Sequence, residues 1–336
     1  MTETNAQIKK VVTQLISVLS PRNREIISRR FGLKSGSKET LESIGASYGI
    51  TRERVRQIEE ASLAQIRENL ESESAKVKPF IVLAREIMES KGGVVREDQL
   101  FADFSGNGAE SATNASLVFL LTLQNTFERS LEDDEFHAFW ALSSEHADRF
   151  RNRAEEFVGE LKKRQTVIPD VELASFTSDP SFFSISKNIG KNVFSEVGLT
   201  SWPEIKPRGV RDKSFLVLKK EGQPKHFREI TQLINSANFS PRKAHVQTVH
   251  NELIKDNRFV LVGRGIYGLS EWGYEPGTVK EVIANLLRKE GPQSKDKIIA
   301  HVMNTRMVKP NTVLLGMQDK RLFTETEQGH IALKEA

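Results

Sequence analysis

The amino-acid sequence predicts a mainly α chain with small β wings, in which an N-terminal helix-turn-helix domain is followed by tandem winged-helix units. Three observations carry that expectation. Apolar residues recur at three- and four-residue spacing through residues 1–70, as they do on helices with one buried stripe. Beyond residue 75 one pattern repeats: helix, polar turn, second helix, then two short strand-like runs. The tryptophans Trp140, Trp202 and Trp272, the only three, each close one copy and stand 62 and 70 residues apart. Finally, 336 residues exceed what one hydrophobic core organises. Five domains are expected, at 1–72, 73–143, 144–206, 207–274 and 275–336.

The helices of the first domain can be placed from their caps. "NAQIKKVVTQLISVL" sets Ile8, Val11, Val12, Leu15, Ile16 and Leu19 on one stripe. Ser20 as N-cap with Pro21 at the first helical position starts a second helix that ends near Gly32. Thr40 caps a third, with Leu41 and Ile44 turned inward, and Tyr48-Gly49 makes a tight turn. Thr51 caps the fourth, where Val55, Ile58 and Ile66 point one way. Arg52, Glu53, Arg56, Gln57 and Glu60 fall on the opposite face. A short helix, a glycine-bearing turn and a second helix with a polar, basic leading edge is the layout of a helix-turn-helix.

The later units follow the repeated pattern. In the first, "FIVLAREIMES", "REDQLFADF" and "NASLVFLLTL" read as helices and "TFERSLEDDEFHAFWAL" as strand-turn-strand. In the second, "ADRFRNRAEEFVGELKKR" and "DVELASF" read as helices before two strand-like runs and Trp202. In the third, "SPRKAHVQTVHNELIKD" reads as a helix capped by Ser240 and started by Pro241. There "RFVLVGRGIYGLSEW" alternates with period two around Gly263-Arg264-Gly265. The fourth runs "TVKEVIANLLRKEG", "SKDKIIAHVM", "KPNTVLLGMQ" and "LFTETEQGHIAL".

The net charge of +4 is unevenly spread: +4 over 1–70, −8 over 71–150, zero over 151–206, +6 over 207–274 and +2 over 275–336. A polyphosphate attracts the basic segments and repels the acidic one, so different partners are expected along the chain. The acidic unit 73–143, with "LEDDEF" at 131–136, is expected to contact protein. The absence of cysteine excludes disulfide scaffolds, thiolate zinc sites and cysteine nucleophiles. No signal peptide is evident, and "SLVFLLTL" at 116–123 falls well short of the ~20 residues of a membrane span. A soluble cytoplasmic chain without a membrane partner is expected.

Arginine pairs bidentately with guanine and glutamate accepts from cytosine, so Arg52, Glu53, Arg56 and Gln57 form a set able to read base edges. The bland alternative is a solvated helix face laced by intrahelical ion pairs. The stretch "LSPRNREIISRRFGLKSGSKETLESIGASYGITRERVRQIEEASLAQIRE" resembles region 4, the promoter-reading domain of bacterial sigma-70-type factors. The resemblance rests on Leu19-Ser20-Pro21-Arg22, "RRFGL", "TLESIG" and "TRERVRQIE". It implies that Thr51, Arg52, Glu53, Arg56 and Gln57 contact double-stranded promoter DNA, that RNA polymerase core is a partner, and that the chain is nucleoid-associated.

Residues 207–274 resemble the HARE-HTH winged helices through "FREITQLIN" and "VHNELIKDNRFVLVGRGIYGLSEWG". Arg242, Lys243 and Gln247, with His245 and Thr248, are then expected to face a groove. Arg264, between two glycines at the wing tip, is expected to meet a phosphate or enter a narrow minor groove. Enzyme signatures are missing: no GxxxxGK loop occurs, and His245 and His250 are wrongly spaced for two ligands on one helical face. No metal, cofactor or catalytic residue is expected. The expected function is transcription regulation on DNA. The alternative is a DNA-specificity subunit of a restriction or defence system whose enzyme lies on another chain.

Overall fold

The computed structural model describes residues 2–70, 73–175 and 180–334. The protein is mostly helical, at 58% helix, with small sheets. The chain divides into two compact units, one holding residues 1–190 and 196–200 and the other 191–195 and 201–336.

In the first unit α1 (Thr2–Leu15) runs into a 3-10 turn at Ile16–Val18. Ser20 Oγ accepts from the Asn23 N–H at 3.3 Å and opens α2 (Pro21–Phe31). Thr40 Oγ1 accepts from Ser43 N–H at 3.1 Å and opens α3 (Leu41–Tyr48). Thr51 Oγ1 accepts from Arg54 N–H at 3.2 Å at the start of α4 (Arg52–Leu70). Each hydroxyl satisfies an amide that the helix itself cannot, which is why these starts were legible. The helices then continue with α5 (Ser74–Ser90), strand β1 (Val94–Arg96), α6 (Glu97–Ser105) and α7 (Ala112–Leu123). The hairpin strands β2 (Glu128–Ser130) and β3 (Phe139–Ala141) complete a sheet in the order β1-β3-β2, antiparallel throughout.

The expected boundary between the first two domains falls at Glu71–Ser72, outside the described residues. On either side of it the two segments share one core. The predicted stripe of α1 (Ile8, Val12, Leu15) joins Leu63 and Ile66 of α4 and Leu117 to Leu121 of α7 in a single buried cluster. Phe31 and Phe119 meet edge to face at 5.0 Å across it. The helix-turn-helix keeps only a small core of its own, Ile26, Ile44 and Val55. Trp140, buried in β3, donates from its indole to Glu97 at 2.9 Å, and Arg129 holds the same carboxylate at 2.6 and 2.8 Å.

Residues 144–206 depart from the expected pattern. Among the described residues there, α8 (Ser144–Arg164) is the only α-helix. "DVELASF" does not form a second one: it follows strand β4 (Ile168–Pro169) as a 3-10 segment, Asp170–Ser175, with Phe176 outside the described residues. A further 3-10 segment, Pro180–Ile185, leads to β5 (Ile189–Lys191) and β6 (Glu196–Leu199), in the sheet order β4-β6-β5. Pro169 and Pro180 bracket a stretch too short to nucleate a stable helix, and neither proline can donate a backbone bond. The chain after Pro180 turns instead to the acidic loop, where His137 N–H donates to Ile185 O (2.9 Å) and Lys187 N–H to Glu135 O (2.7 Å).

The second unit contains α9 (Val210–Glu221), β7 (Lys225–His226), α10 (Phe227–Ser236), α11 (Val246–Lys255), β8 (Phe259–Gly263) and β9 (Ile266–Leu269). Its sheet runs β7-β9-β8. Three more helices follow, α12 (Val279–Glu290), α13 (Lys295–Thr305) and α14 (Pro310–Met317), and then the hairpin β10 (Phe323–Glu325) and β11 (Ile331–Leu333). The two halves are tied at the outer edge of β8. Met307 N–H donates to Val262 O at 2.9 Å, and buried Arg306 donates to Leu261 O and Glu275 O at 3.1 Å each. Burial pushes the Arg306 guanidinium below its ordinary pKa.

The shared core makes a prediction. Phe119→Ala should cost about 3–5 kcal/mol, the usual loss for a buried aromatic. Hydrogen exchange should accelerate in α1 and the C-terminal half of α4 as well as in α7. Acceleration confined to α5–α7 would mean that the helix-turn-helix is an independent domain.

Candidate nucleic-acid interface

The leading edge of α4 is set by the turn before it. Gly45 in α3 has to be glycine, because a Cβ there would lie 2.6 Å from Ile50 O. That close approach lets Ile50 N–H reach Gly45 O at 3.0 Å and folds α4 across α3. Two arginines of α2 brace the arrangement. Arg30 meets Glu59 of α4 at 3.0 Å, and Arg29 grips Glu39 with two bonds of 2.8 and 2.6 Å. Tyr48 lies beneath the Arg22 and Arg29 guanidiniums, 5.5 and 5.8 Å from its ring centroid.

Thr51, Arg52, Glu53, Arg56 and Gln57 all lie exposed on this edge, so the structure brings together the set expected from sequence. Its cations are already engaged. Arg52 pairs with Glu42 at 3.0 Å, and Arg56 holds Glu53 at 2.6 and 2.9 Å and also Glu60. Hydrogen bonding from Arg56 holds the Glu53 carboxyl below its usual range and raises Arg56 in turn. Arg54, absent from the expected set, donates to Gln57 at 3.0 Å. Its signal was its place at the third residue after the Thr51 cap. Glu42 was missed because it belongs to α3, and only the fold carries it to Arg52.

In the second unit α11 does not start at Pro241. It starts at Val246, with His245 as its N-cap. Asn235 explains the delay: its side-chain amide donates to Ala244 O at 3.1 Å and its oxygen accepts from Ala244 N–H at 2.7 Å. Both backbone groups of Ala244 are thereby committed outside a helix. Arg242 and Lys243 therefore sit exposed in the preceding turn, not on the helix, whereas Gln247 lies on its outer face and donates to Asn251 at 3.1 Å.

The β8–β9 tip lies against the start of α10. Gly265 has φ +71°, and a Cβ there would come within 2.7 Å of His226 Nε2, so no other residue fits. Its carbonyl accepts from Phe227 N–H at 3.0 Å. His226 caps α10 in a reciprocal arrangement with Glu229. The rings of His226, Phe227 and His250 stack at 4.4 and 4.3 Å, fixing the tip, α10 and α11 as one surface. Arg264 lies exposed at the tip, and the Arg228 guanidinium of α10 lies 6.0 Å from the Phe227 ring centroid. His226, Arg228 and His250 were not foreseen, since nothing in their spacing marks a three-ring stack.

The acidic loop 131–136 is held as a turn, with Asp133 accepting from the Glu135 and Phe136 N–H groups at 2.8 and 2.7 Å. Those bonds keep the Asp133 carboxyl below its usual pKa. Lys187 pairs with Glu132 at 2.8 Å. Among the described residues no cluster of His, Asp or Glu is arranged to hold a metal ion, and no helix is long and apolar enough to cross a membrane.

Residues 15–68 match the family described as Sigma-70, region 4. The chain is 44% identical over 61 residues to the chloroplastic RNA polymerase sigma factor sigF of Arabidopsis thaliana, covering 18% of this chain and 11% of that protein. Over 69 residues it is 42% identical to RNA polymerase sigma factor RpoS of Coxiella burnetii, covering 20% of each. SigA1 of Synechococcus elongatus, another RNA polymerase sigma factor, is 47% identical over 53 residues, 16% of this chain and 13% of the relative. The chain thus spans between 11% and 20% of the length of these relatives. An N-terminal helix-turn-helix of the sigma-70 region 4 kind therefore occupies residues 15–68.

The ion pair on the leading edge has a pH signature. Because Glu53 is depressed below the ordinary ~4.3 of a glutamate, its contribution is fully present above that value and is lost as pH falls through the lower folded value. Thermal unfolding of wild type and Glu53→Gln should differ near neutrality, with wild type the more stable, and converge in acid. A constant gap at all pH values would separate Glu53 from the Arg56 pair.

Proposed function

We propose that this protein is a DNA-binding transcription regulator that reads promoter duplex with its region 4-like helix-turn-helix and contacts RNA polymerase. It is read as a non-enzyme. The observation that carries the reading is the leading edge of α4, where Thr51, Arg52, Glu53, Arg56 and Gln57 stand together on a braced helix in the segment that matches region 4. Arginine and glutamine at such a position present bidentate donors to base edges in a major groove. Engagement of Arg56 requires it to leave Glu53 and Glu60, exchanging carboxylate partners for base acceptors.

The segment 207–274 is read as a HARE-HTH-like winged helix, a second DNA-binding module with α11 toward one groove and Arg264 toward the next. The fourth segment, with three helices before a hairpin, is read as a further winged-helix unit. The acidic segment 73–143 is assigned to protein contact, since its −8 balance between 71 and 150 opposes phosphate. Nucleoid association in the cytoplasm follows from these assignments.

Two measurements on the full chain test the reading. Arg56→Ala should lose about 1–3 kcal/mol of specific binding and relax preference at one base position. Equal loss on all sequences would mean a phosphate contact, and no loss would remove α4 as a reader. Arg264→Ala should weaken binding on every duplex and flatten the slope of log affinity against log salt by about one unit, because fewer counterions are released. If titrations of wild type and Arg264→Ala superimpose across salt, Arg264 is an ordinary turn residue.

A further inference from the structure

Like 207–274, the last segment sets three helices before a hairpin, yet its third helix carries different chemistry. Residues 310–318, "PNTVLLGMQ", contain no charged side chain. Leu314 is 36% exposed and Leu315 66%. Between α14 and the β10–β11 hairpin lies a groove of about 500 Å³ lined by Leu314, Met317 and Phe323, with Lys295, Lys320 and Lys334 around it. Met317 and Phe323 are buried at 7% and 4% exposure, so they form its floor. Lys295 pairs with Glu325 at 2.9 Å, and the Lys334 N–H donates to Leu322 O at 2.9 Å, fixing the rim to the hairpin. Asp319, which precedes Lys320, is committed to Lys280 at 2.6 Å and to Arg321, bonds that hold it well below its usual pKa. Among the described residues Lys320 and Lys334 keep uncompensated charge.

An apolar floor contributes nothing to a sugar-phosphate backbone, and a helix without a cation is a poor groove reader. The same combination suits a peptide that buries apolar anchors and sets carboxylates against lysines. We propose that this groove binds an acidic amphipathic segment of a partner protein, with its apolar side chains against Leu314, Met317 and Phe323 and its carboxylates against Lys320 and Lys334. The assignment is independent of the DNA-reading role of α4.

The test uses the full chain and a fluorescein-labelled helical peptide composed of Leu, Phe, Asp and Glu, followed by anisotropy. Saturable binding that weakens with salt is expected. It should fall by about tenfold or more in Lys320→Glu/Lys334→Glu and in Leu314→Asp, and stay unchanged in Lys289→Glu, an exposed charge change on α12 outside the groove. A control peptide of equal charge, with Ser replacing Leu and Phe, should bind at least about tenfold more weakly. Should Leu314→Asp prove unfolded by thermal melting, the double lysine variant, whose changes are exposed, decides alone. The proposal is overturned if no saturable binding occurs, if both peptides bind equally, or if the lysine variant binds as wild type does. It is also overturned if duplex DNA displaces the peptide and the lysine variant loses DNA instead, which would make the groove a nucleic-acid surface.

Discussion

The first unit depends on α7. Ten of its twelve side chains are buried, among them polar Thr113, Asn114 and Ser116, so this short helix is surrounded on all sides. The reason lies in size. A helix-turn-helix whose own core is Ile26, Ile44 and Val55 removes too little apolar surface from water to offset the entropy of ordering its chain. By packing against α1, α2 and α4 at once, α7 supplies the missing surface. Helix α4 and the acidic segment are consequently parts of one packed body, and a displacement of one is resisted by the other.

On that rigid base, the exposed edge of α4 is electrostatically self-contained. Arg52 is compensated by Glu42, and Arg56 by Glu53 and Glu60. Such pairs in water stabilise little, because solvent screens them and two long side chains must be ordered. Their larger effect is on selection. A cation already holding a carboxylate gains little from an arbitrary phosphate, whereas a guanine offering two acceptors in one plane can replace what is lost. The helix is in this way suited to discrimination more than to general attraction, and the excess positive charge of 207–274 suits the opposite task.

Much of this was legible in the sequence where the cause is local. Ser20, Thr40 and Thr51 each bond the amide three residues on, and residue type with spacing is enough to see it. The same rule misled at Ser240-Pro241, a good helix start by its own residues. Asn235, remote in sequence, holds Ala244 by both backbone groups and moves the start to Val246. The segment 144–206 departed similarly, because the backbone groups after Pro180 find partners in the acidic loop some fifty residues earlier. Glu42 opposite Arg52, and the His226–Phe227–His250 stack, depend on tertiary contact and leave no periodic trace.

The contrast between α4 and α14 sharpens what position in a fold can decide. Helix α4 follows two shorter helices and α14 two longer ones, and both present an outer face. On α4 that face carries three arginines within its first five residues, each held by a neighbour's carboxylate or amide. On α14 it carries leucines over an apolar floor, with cations only on the flanking elements. A helix at the end of a three-helix run thus leaves one face outward, while the side chains on that face determine its chemistry. An arginine edge exchanges hydrogen bonds with other polar groups and can be selective only for a partner that offers them in fixed geometry. A leucine-floored groove gains from removing apolar surface from water and accepts whatever brings it, with the lysines biasing the choice toward carboxylates.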